Sequence, residues 1–252
     1  MTSSFPYECL DSVDSTNTLL KNRSDLWSQN FYTIRALKQT DGRGRYGRTW
    51  FSGTDNLTFS FIFNGFDPSC PVDISPLTLY AGLALRKALG KITGVQILVK
   101  WPNDVTFHGK KLGGILTEMI QTGESKVVIF GIGVNLNADK MPADLVDKTI
   151  SLKEITNQNL SPEMVLNEIM FEMKSRLQTF KIPLSKTIRA EFTANCDKKA
   201  NMVTIFDRIK KSVIKKRFDI TGINENGLLC VVDEYGNQDL ISAHDLEFNQ
   251  DV

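Results

Sequence analysis

Apolar residues recur at helical spacing most clearly over 162–180, where Leu166, Ile169, Met170, Met173, Leu177 and Phe180 fall on one face. A stripe of this kind, methionines included, reads as core packing rather than a ligand box. Alternation of apolar and polar positions predicts strands over 31–38 and over 57–63, the latter reading Leu-Thr-Phe-Ser-Phe-Ile-Phe. A short helix is expected over 16–23, with Ser15 as N-cap and Leu19 and Leu20 on its buried side. A longer one is expected from Ser75-Pro76, an N-cap followed by proline, through Leu79, Tyr80, Leu83 and Ala84 to near Gly90. Further strands are predicted over 95–100, 114–121 and 126–133, and a further helix over 185–193. After Asp197 the pattern changes to short strands, 202–206, 213–221, 228–232 and 239–242, separated by Asn-Glu-Asn-Gly and Glu-Tyr-Gly-Asn turns. The chain is therefore expected to be an α+β unit, residues 1–196, followed by a small β-barrel-like unit, residues 197–252, whose size favours docking on its neighbour.

Composition narrows the classes of function. The 252 residues can bury a sizeable core, and 30 Lys+Arg against 29 Asp+Glu leave a net charge of +1. That balance argues against a general nucleic-acid binder, which is usually broadly basic. Cys9, Cys70, Cys196 and Cys230 are scattered without metal or redox spacing, as in cytosolic proteins. The first ten residues include Pro6 and Glu8 and lack the apolar core of a signal peptide, and the run over 57–63 is too short to span a bilayer. A cytoplasmic location without membrane contact is expected. His108 and His244 have no neighbouring Cys or His, so both are read as ordinary loop or surface histidines.

Four segments carry chemistry. Gly42-Arg43-Gly44-Arg45-Tyr46-Gly47-Arg48-Thr49-Trp50 matches G-x-G-x-x-G literally, but it is expected to run on as loop into the next strand, which is not the dinucleotide-binding context. What remains is three guanidinium groups on a backbone that bends freely, a site for carboxylate or phosphate oxygens. A solvated basic loop or an RNA-binding Arg-Gly segment has the same composition, although RNA affinity needs many distributed phosphate contacts. Lys100-Trp101-Pro102-Asn103-Asp104 ends a strand at a proline and presents one cation and one carboxylate, which alone would equally make a salt-bridged turn. Lys111-Leu112-Gly113-Gly114 lets a ligand approach the backbone beside a lysine. Gly131-Ile132-Gly133-Val134-Asn135-Leu136-Asn137 ends a strand in small residues and amides, with Asn137 equally a turn residue.

Taken in order, Asp14-Ser15-Thr16-Asn17, Gln39 with the arginine loop, Lys100 to Asp104, Lys111 to Gly114 and Gly131 to Asn137 resemble the biotin–protein ligase family. The resemblance implies a mixed central β-sheet with flanking helices, as in class II synthetases, and an SH3-like C-terminal domain. It implies that biotin and ATP, with Mg²⁺, form biotinyl-5′-AMP, and that biotin passes to a lysine of the biotin carboxyl carrier protein of acetyl-CoA carboxylase. By the same resemblance, Ser15, Thr16, Asn17, Gln39 and Gly114 would bind biotin, and Arg43, Gly44 and Arg45 would close over it. Lys111 would meet the carboxylate and the α-phosphate. Arg48, Trp50, Lys100, Asn103 and Asn135 would hold the nucleotide, and Asp104 the metal. Arg45, Lys111 and Asp104 would be the catalytic residues, Asp104 also serving as base or orienting group for the acceptor amine.

The first motif begins at Asp14, which leaves no room for an N-terminal helix-turn-helix, so DNA binding is not expected. Tyr46 stands where some relatives have another arginine. A monomer or homodimer is expected. A lipoate–protein ligase is the nearest alternative, although its Arg-Arg-x-Ser-Gly-Gly-Gly motif is missing here. A non-catalytic module for nucleic acid or phosphate is the alternative from another class.

Overall fold

The computed structural model describes residues 5–65, 74–122, 125–138, 142–198, 202–207 and 212–243. Every residue of β3, Leu57–Phe63, is buried. The strand lies inside a seven-stranded sheet of order β1-β2-β3-β7-β6-β5-β4. The other strands are β1 Tyr7–Val13, β2 Thr33–Gln39, β4 Leu98–Lys100, β5 Asp104–Phe107, β6 Lys110–Thr122 and β7 Ser125–Val134. Only β1 and β2 run parallel, and α1, Thr16–Asn22, is the crossover between them.

Alternate residues of β3 serve two faces. Leu57, Phe59, Phe61 and Phe63 enter the main core under α2, Ser75–Thr93, and α4, Pro162–Leu177. Ile62 turns the other way, onto a smaller cluster with Leu20 of α1, Ile34 and Ile129. Stacking of Phe61 on Phe130 at 5.1 Å adds roughly 1 kcal/mol to what burial of the rings already provides. The predicted stripe of α4 is core: Leu166, Ile169, Met170, Met173 and Leu177 are all buried. The helix stops at Leu177, short of the expected 180, yet Phe180 still packs edge-on against Tyr80. Lys87 and Lys91 of α2 both pair with Glu172, a buried carboxylate on α4 that needs such partners.

The helix ends show what set them. Ser161 and Ser185 cap α4 and α5, Lys186–Asn195, accepting from the amides of Met164 and Ile188. For α2 the expected cap is corrected: Ser75 is already helical and Ile74 precedes it. Its end is corrected too, from Gly90 to Gly94, whose φ of 71° gives the left-handed turn that glycine tolerates. Two strands and one α-helix were not expected: β1, β5 and α3, Leu152–Thr156, the last opened by a reciprocal capping box between Ser151 and Glu154.

Beyond Asp197 lies a four-stranded antiparallel sheet of order β11-β10-β9-β8. Its strands are β8 Met202–Asp207, β9 Ser212–Ile223, β10 Leu229–Asp233 and β11 Gln238–Ile241. Phe218, Ile220, Leu229, Val231 and Ile241 join the same apolar cluster as the large sheet, so the small unit docks by sharing its core. Trp101 donates from Nε1 to the Gly227 carbonyl across that junction, at 3.3 Å. The architecture is the expected α+β class. Among the described residues no helix is long and apolar enough to cross a membrane. His108 lies in the tight turn after β5, whereas Cys70 and His244 lie outside the described residues.

Candidate functional site

The site begins as a patch of sheet without side chains. On the α1-facing side of β3, Thr58 and Ser60 pair with Gly133 and Gly131 of β7, and Gly133 pairs with Gly114 of β6. A cavity of about 820 Å³ lies over this patch, within the size range of small-molecule sites. The neighbours require these glycines. A Cβ at Gly133 would lie 2.3 Å from the Trp50 indole, and one at Gly114 would lie 3.0 Å from Asp104 Oδ1.

At one end, α1 presents its first turn to the cavity. Ser15 caps the helix, and the Thr16 amide donates to Gln39 Oε1 at 2.9 Å. Ser60 Oγ lies 2.6 Å from Thr16 Oγ1 and donates to Asn17 Oδ1 at 2.5 Å. Asn17 Nδ2 donates to Glu118 Oε2 at 2.8 Å, and Glu118 is held in turn by Lys21. This is a neutral, hydrogen-bonded end, fixed by a helix cap, a strand end and a buried serine.

The arginine loop forms one wall. Trp50 N donates to Gly42 O at 2.8 Å and Gly44 N to Arg48 O at 2.7 Å, closing a narrow hairpin. A Cβ at Gly42 would meet the Trp50 carbonyl at 2.5 Å, which explains that glycine. At the tip a single 3-10 turn, Arg45–Gly47, holds Tyr46 at φ 57° and Gly47 at φ 73°. Arg45 Nη1 donates to Asn103 Oδ1 at 3.3 Å, and burial pulls the Arg45 pKa down, disfavouring its charge. Arg43 lines the cavity too, but its guanidinium is bound to Asp41 at 2.7 Å on the outside.

Lys111 stands at the other end. Its Nζ lies 2.9 Å from Asp104 Oδ1 and 5.6 Å from the centre of the Trp50 ring. Asn103 is fixed by its Nδ2, which donates to the Ile115 carbonyl at 3.0 Å. Trp50 Nε1 is a buried donor with no acceptor among the described residues. Six cationic side chains line the cavity as a whole against three carboxylates, a balance that favours anions.

Ser15, Thr16, Asn17, Gln39, Arg43, Gly44, Arg45, Arg48, Trp50, Lys100, Asn103, Asp104, Lys111 and Gly114 thus all line one cavity, although they are spread over a hundred positions of sequence. Asn135 is the exception. Its Nδ2 donates to the carbonyls of Lys111 and Ile150, so it braces the strand end behind Lys111 instead of facing the cavity. Asn137 is likewise structural, exchanging hydrogen bonds with the Leu160 backbone. Sequence reasoning missed Ser60, whose only signal is a hydroxyl in a run of phenylalanines. It also missed Leu145, Lys148 and Thr149, and Ile220 and Leu229 from the small sheet, all of which line the cavity without a motif.

A model described as the biotin/lipoate A/B protein ligase family matches residues 9–135. The bifunctional ligase/repressor BirA of Bacillus spizizenii is 38% identical over 153 residues, 58% of this chain and 46% of that protein. The biotin–[acetyl-CoA-carboxylase] ligase of Mycobacterium tuberculosis is 28% identical over 216 residues, 82% of this chain and 75% of that one. The chain thus spans about half the length of the BirA relatives it matches. Among solved structures, the biotin protein ligase of Aquifex aeolicus in complex with biotin and ATP superposes with a TM-score of 0.80 at 29% identity, covering 96% of this chain and 97% of that one.

Proposed function

Because the chain belongs to the biotin/lipoate A/B protein ligase family, we propose that it is an ATP-dependent biotin–protein ligase acting on the biotin carboxyl carrier protein of acetyl-CoA carboxylase. The observation that carries this reading is the polarity of the cavity. A neutral hydrogen-bonding end, Thr16, Asn17 and Gln39 backed by Ser60, and a cationic end, Arg45, Arg48, Lys100 and Lys111, share one floor. A ureido ring brings N–H donors and a carbonyl that can exchange into the first network. A dithiolane ring brings neither and can make no hydrogen bond with that network, which favours biotin over lipoate.

In the first step a biotin carboxylate oxygen attacks the α-phosphorus of ATP. The α–β P–O bond breaks, and pyrophosphate leaves with the electron pair. Two anions must meet, and Lys111 at the cationic end lowers their repulsion and the charge that develops on the α-phosphoryl oxygens. Its present partner, Asp104, would release it as these anions arrive. Nε1 of Trp50, without an acceptor among the described residues, supplies a donor that a ligand acceptor would satisfy. Arg45 and the hairpin beneath it lie over the adenylate and exclude water from the anhydride. In the second step a carrier lysine amine attacks the acyl carbon, AMP leaves and the amide nitrogen loses a proton, for which Asp104 is the nearby carboxylate.

Mg²⁺ suits a site of one carboxylate completed by phosphate oxygens, and Asp104 is the residue that would hold it. Such an ion neutralises phosphate charge when bound. The reading further divides the chain at residue 197, with residues 1–196 holding the reacting groups and the small unit closing the wall through Ile220 and Leu229. Isotope exchange between pyrophosphate and ATP, run with biotin, with lipoate and with neither, tests the proposal. Exchange with biotin alone is expected, and its absence under all three conditions overturns the reading.

A further inference from the structure

Two adjacent residues at the tip of the arginine loop reach a single acceptor just past the last strand of the other sheet. The main-chain carbonyl of Ala243, two residues beyond β11, accepts from Arg45 Nη2 at 3.1 Å and also from the Tyr46 hydroxyl. The same Nη2 donates to Tyr46 Oη at 3.0 Å, and the Arg45 guanidinium lies 4.9 Å from the centre of the Tyr46 ring. Arg45 is therefore shared: Nη1 binds Asn103 on the cavity floor, and Nη2 binds the C-terminal unit.

Tyr46 is an unusual residue for this position on general grounds. Its φ of 57° is left-handed, a region that side chains with a Cβ enter only under local compulsion. The residue is 55% exposed, so burial does not supply that compulsion. Among the described residues, its polar contacts are those with Arg45 and with Ala243. Backbone bonds from Trp50 to Gly42 and from Gly44 to Arg48 close the loop on itself, whereas at its tip Arg45 reaches Asn103 and both Arg45 and Tyr46 reach Ala243, just past the small sheet.

We propose that Tyr46 is a positioning residue: its hydroxyl on the Ala243 carbonyl pins the arginine loop to the C-terminal sheet and holds Arg45 over the cavity mouth. The C-terminal unit then governs how long the loop stays shut, and retention of the reactive intermediate becomes a property of both sheets. Its functional consequence rests on the ligase reading; the latch itself does not.

The test uses the full chain, Tyr46→Phe and Tyr46→Leu. Hydrogen–deuterium exchange without ligand should be faster in both variants over residues 42–50 and 238–243, with equal melting midpoints showing that the fold is intact. Protection equal to the parent's in both variants overturns the latch. With biotin, ATP and carrier protein, Tyr46→Phe should raise the ratio of free adenylate released to biotin transferred about fivefold, the weight of one neutral hydrogen bond. An unchanged ratio beside faster exchange overturns the link to retention. A parent that shows no biotin-dependent pyrophosphate exchange removes the ligase reading, while the protection difference still decides the latch.

Discussion

A Cβ built on Gly131 would lie 2.2 Å from Oδ1 of Asn17, so strand β7 and helix α1 fit together only while position 131 carries no side chain. That oxygen accepts from Ser60, and the amide nitrogen of the same side chain donates to Glu118. Gly131→Ala must therefore push Asn17 out of its network. We expect biotin affinity by calorimetry to fall at least tenfold, with a loss of stability of about 1–3 kcal/mol from overpacking. Parent-like affinity would show that Asn17 does not read the ligand.

Lys111→Met keeps the length of the side chain and removes its charge. Loss of one preorganised group of this kind costs about 3 kcal/mol, roughly a hundredfold in the rate of biotin-dependent pyrophosphate exchange. Stability should barely move, since the pair with Asp104 is partly open to solvent and such pairs contribute little. Exchange kinetics beside a thermal melt separate the two effects.

Arg45→Ala removes the guanidinium bridging Asn103 and Ala243. Without it the intermediate should leave or hydrolyse faster, by about 25-fold if both hydrogen bonds act on the closed loop. Chromatographic quantification of free biotinyl-5′-AMP over a single turnover checks this, and retention equal to the parent's would remove the gating role.

The Cys196 thiol is pushed up to about 12 by burial, from an ordinary value of 9.0. A raised pKa means that the unfolded chain gives up its proton first as pH rises, so the contribution is intact below about 9 and drains away towards 12. Denaturant titrations between pH 8 and 11 should show falling stability, with a flatter profile for Cys196→Ala. Alkylation at pH 8 should modify the exposed Cys9 and spare Cys196 in the folded protein.

How much of this was legible depended on whether a residue's neighbours lie along the chain or across it. Strand β3 reads directly from its alternation, and its bounds match, because it is central and packed on both faces. Strand β1 was missed because an edge strand, Tyr-Glu-Cys-Leu-Asp-Ser-Val, buries little and shows no clean period. Helix α3 is five residues long, too short for periodicity, although Ser151 and Glu154 carried the capping signal. In the site, the arginine loop and Lys111 stand out by composition, and Gly131-x-Gly133 by spacing. Asn135 misleads because an amide at a strand end looks the same whether it faces a ligand or, as here, ties two carbonyls together. Ile220 and Leu229 carry no mark at all, since an apolar wall residue and a core residue have the same chemistry.

The bare strip formed by Gly114, Gly131 and Gly133 has one more consequence, for attempts to change what the cavity accepts. A floor defined by absent side chains is already as low as a polypeptide permits, so substitution there can only shrink the space. Room for a bulkier substrate analogue has to come from the ceiling, by trimming Trp50 or Asn17, and each of those also braces the glycine beneath it. Redesign of such a chamber is thus a matter of paired changes, in which the roof is cut back and the floor is left alone.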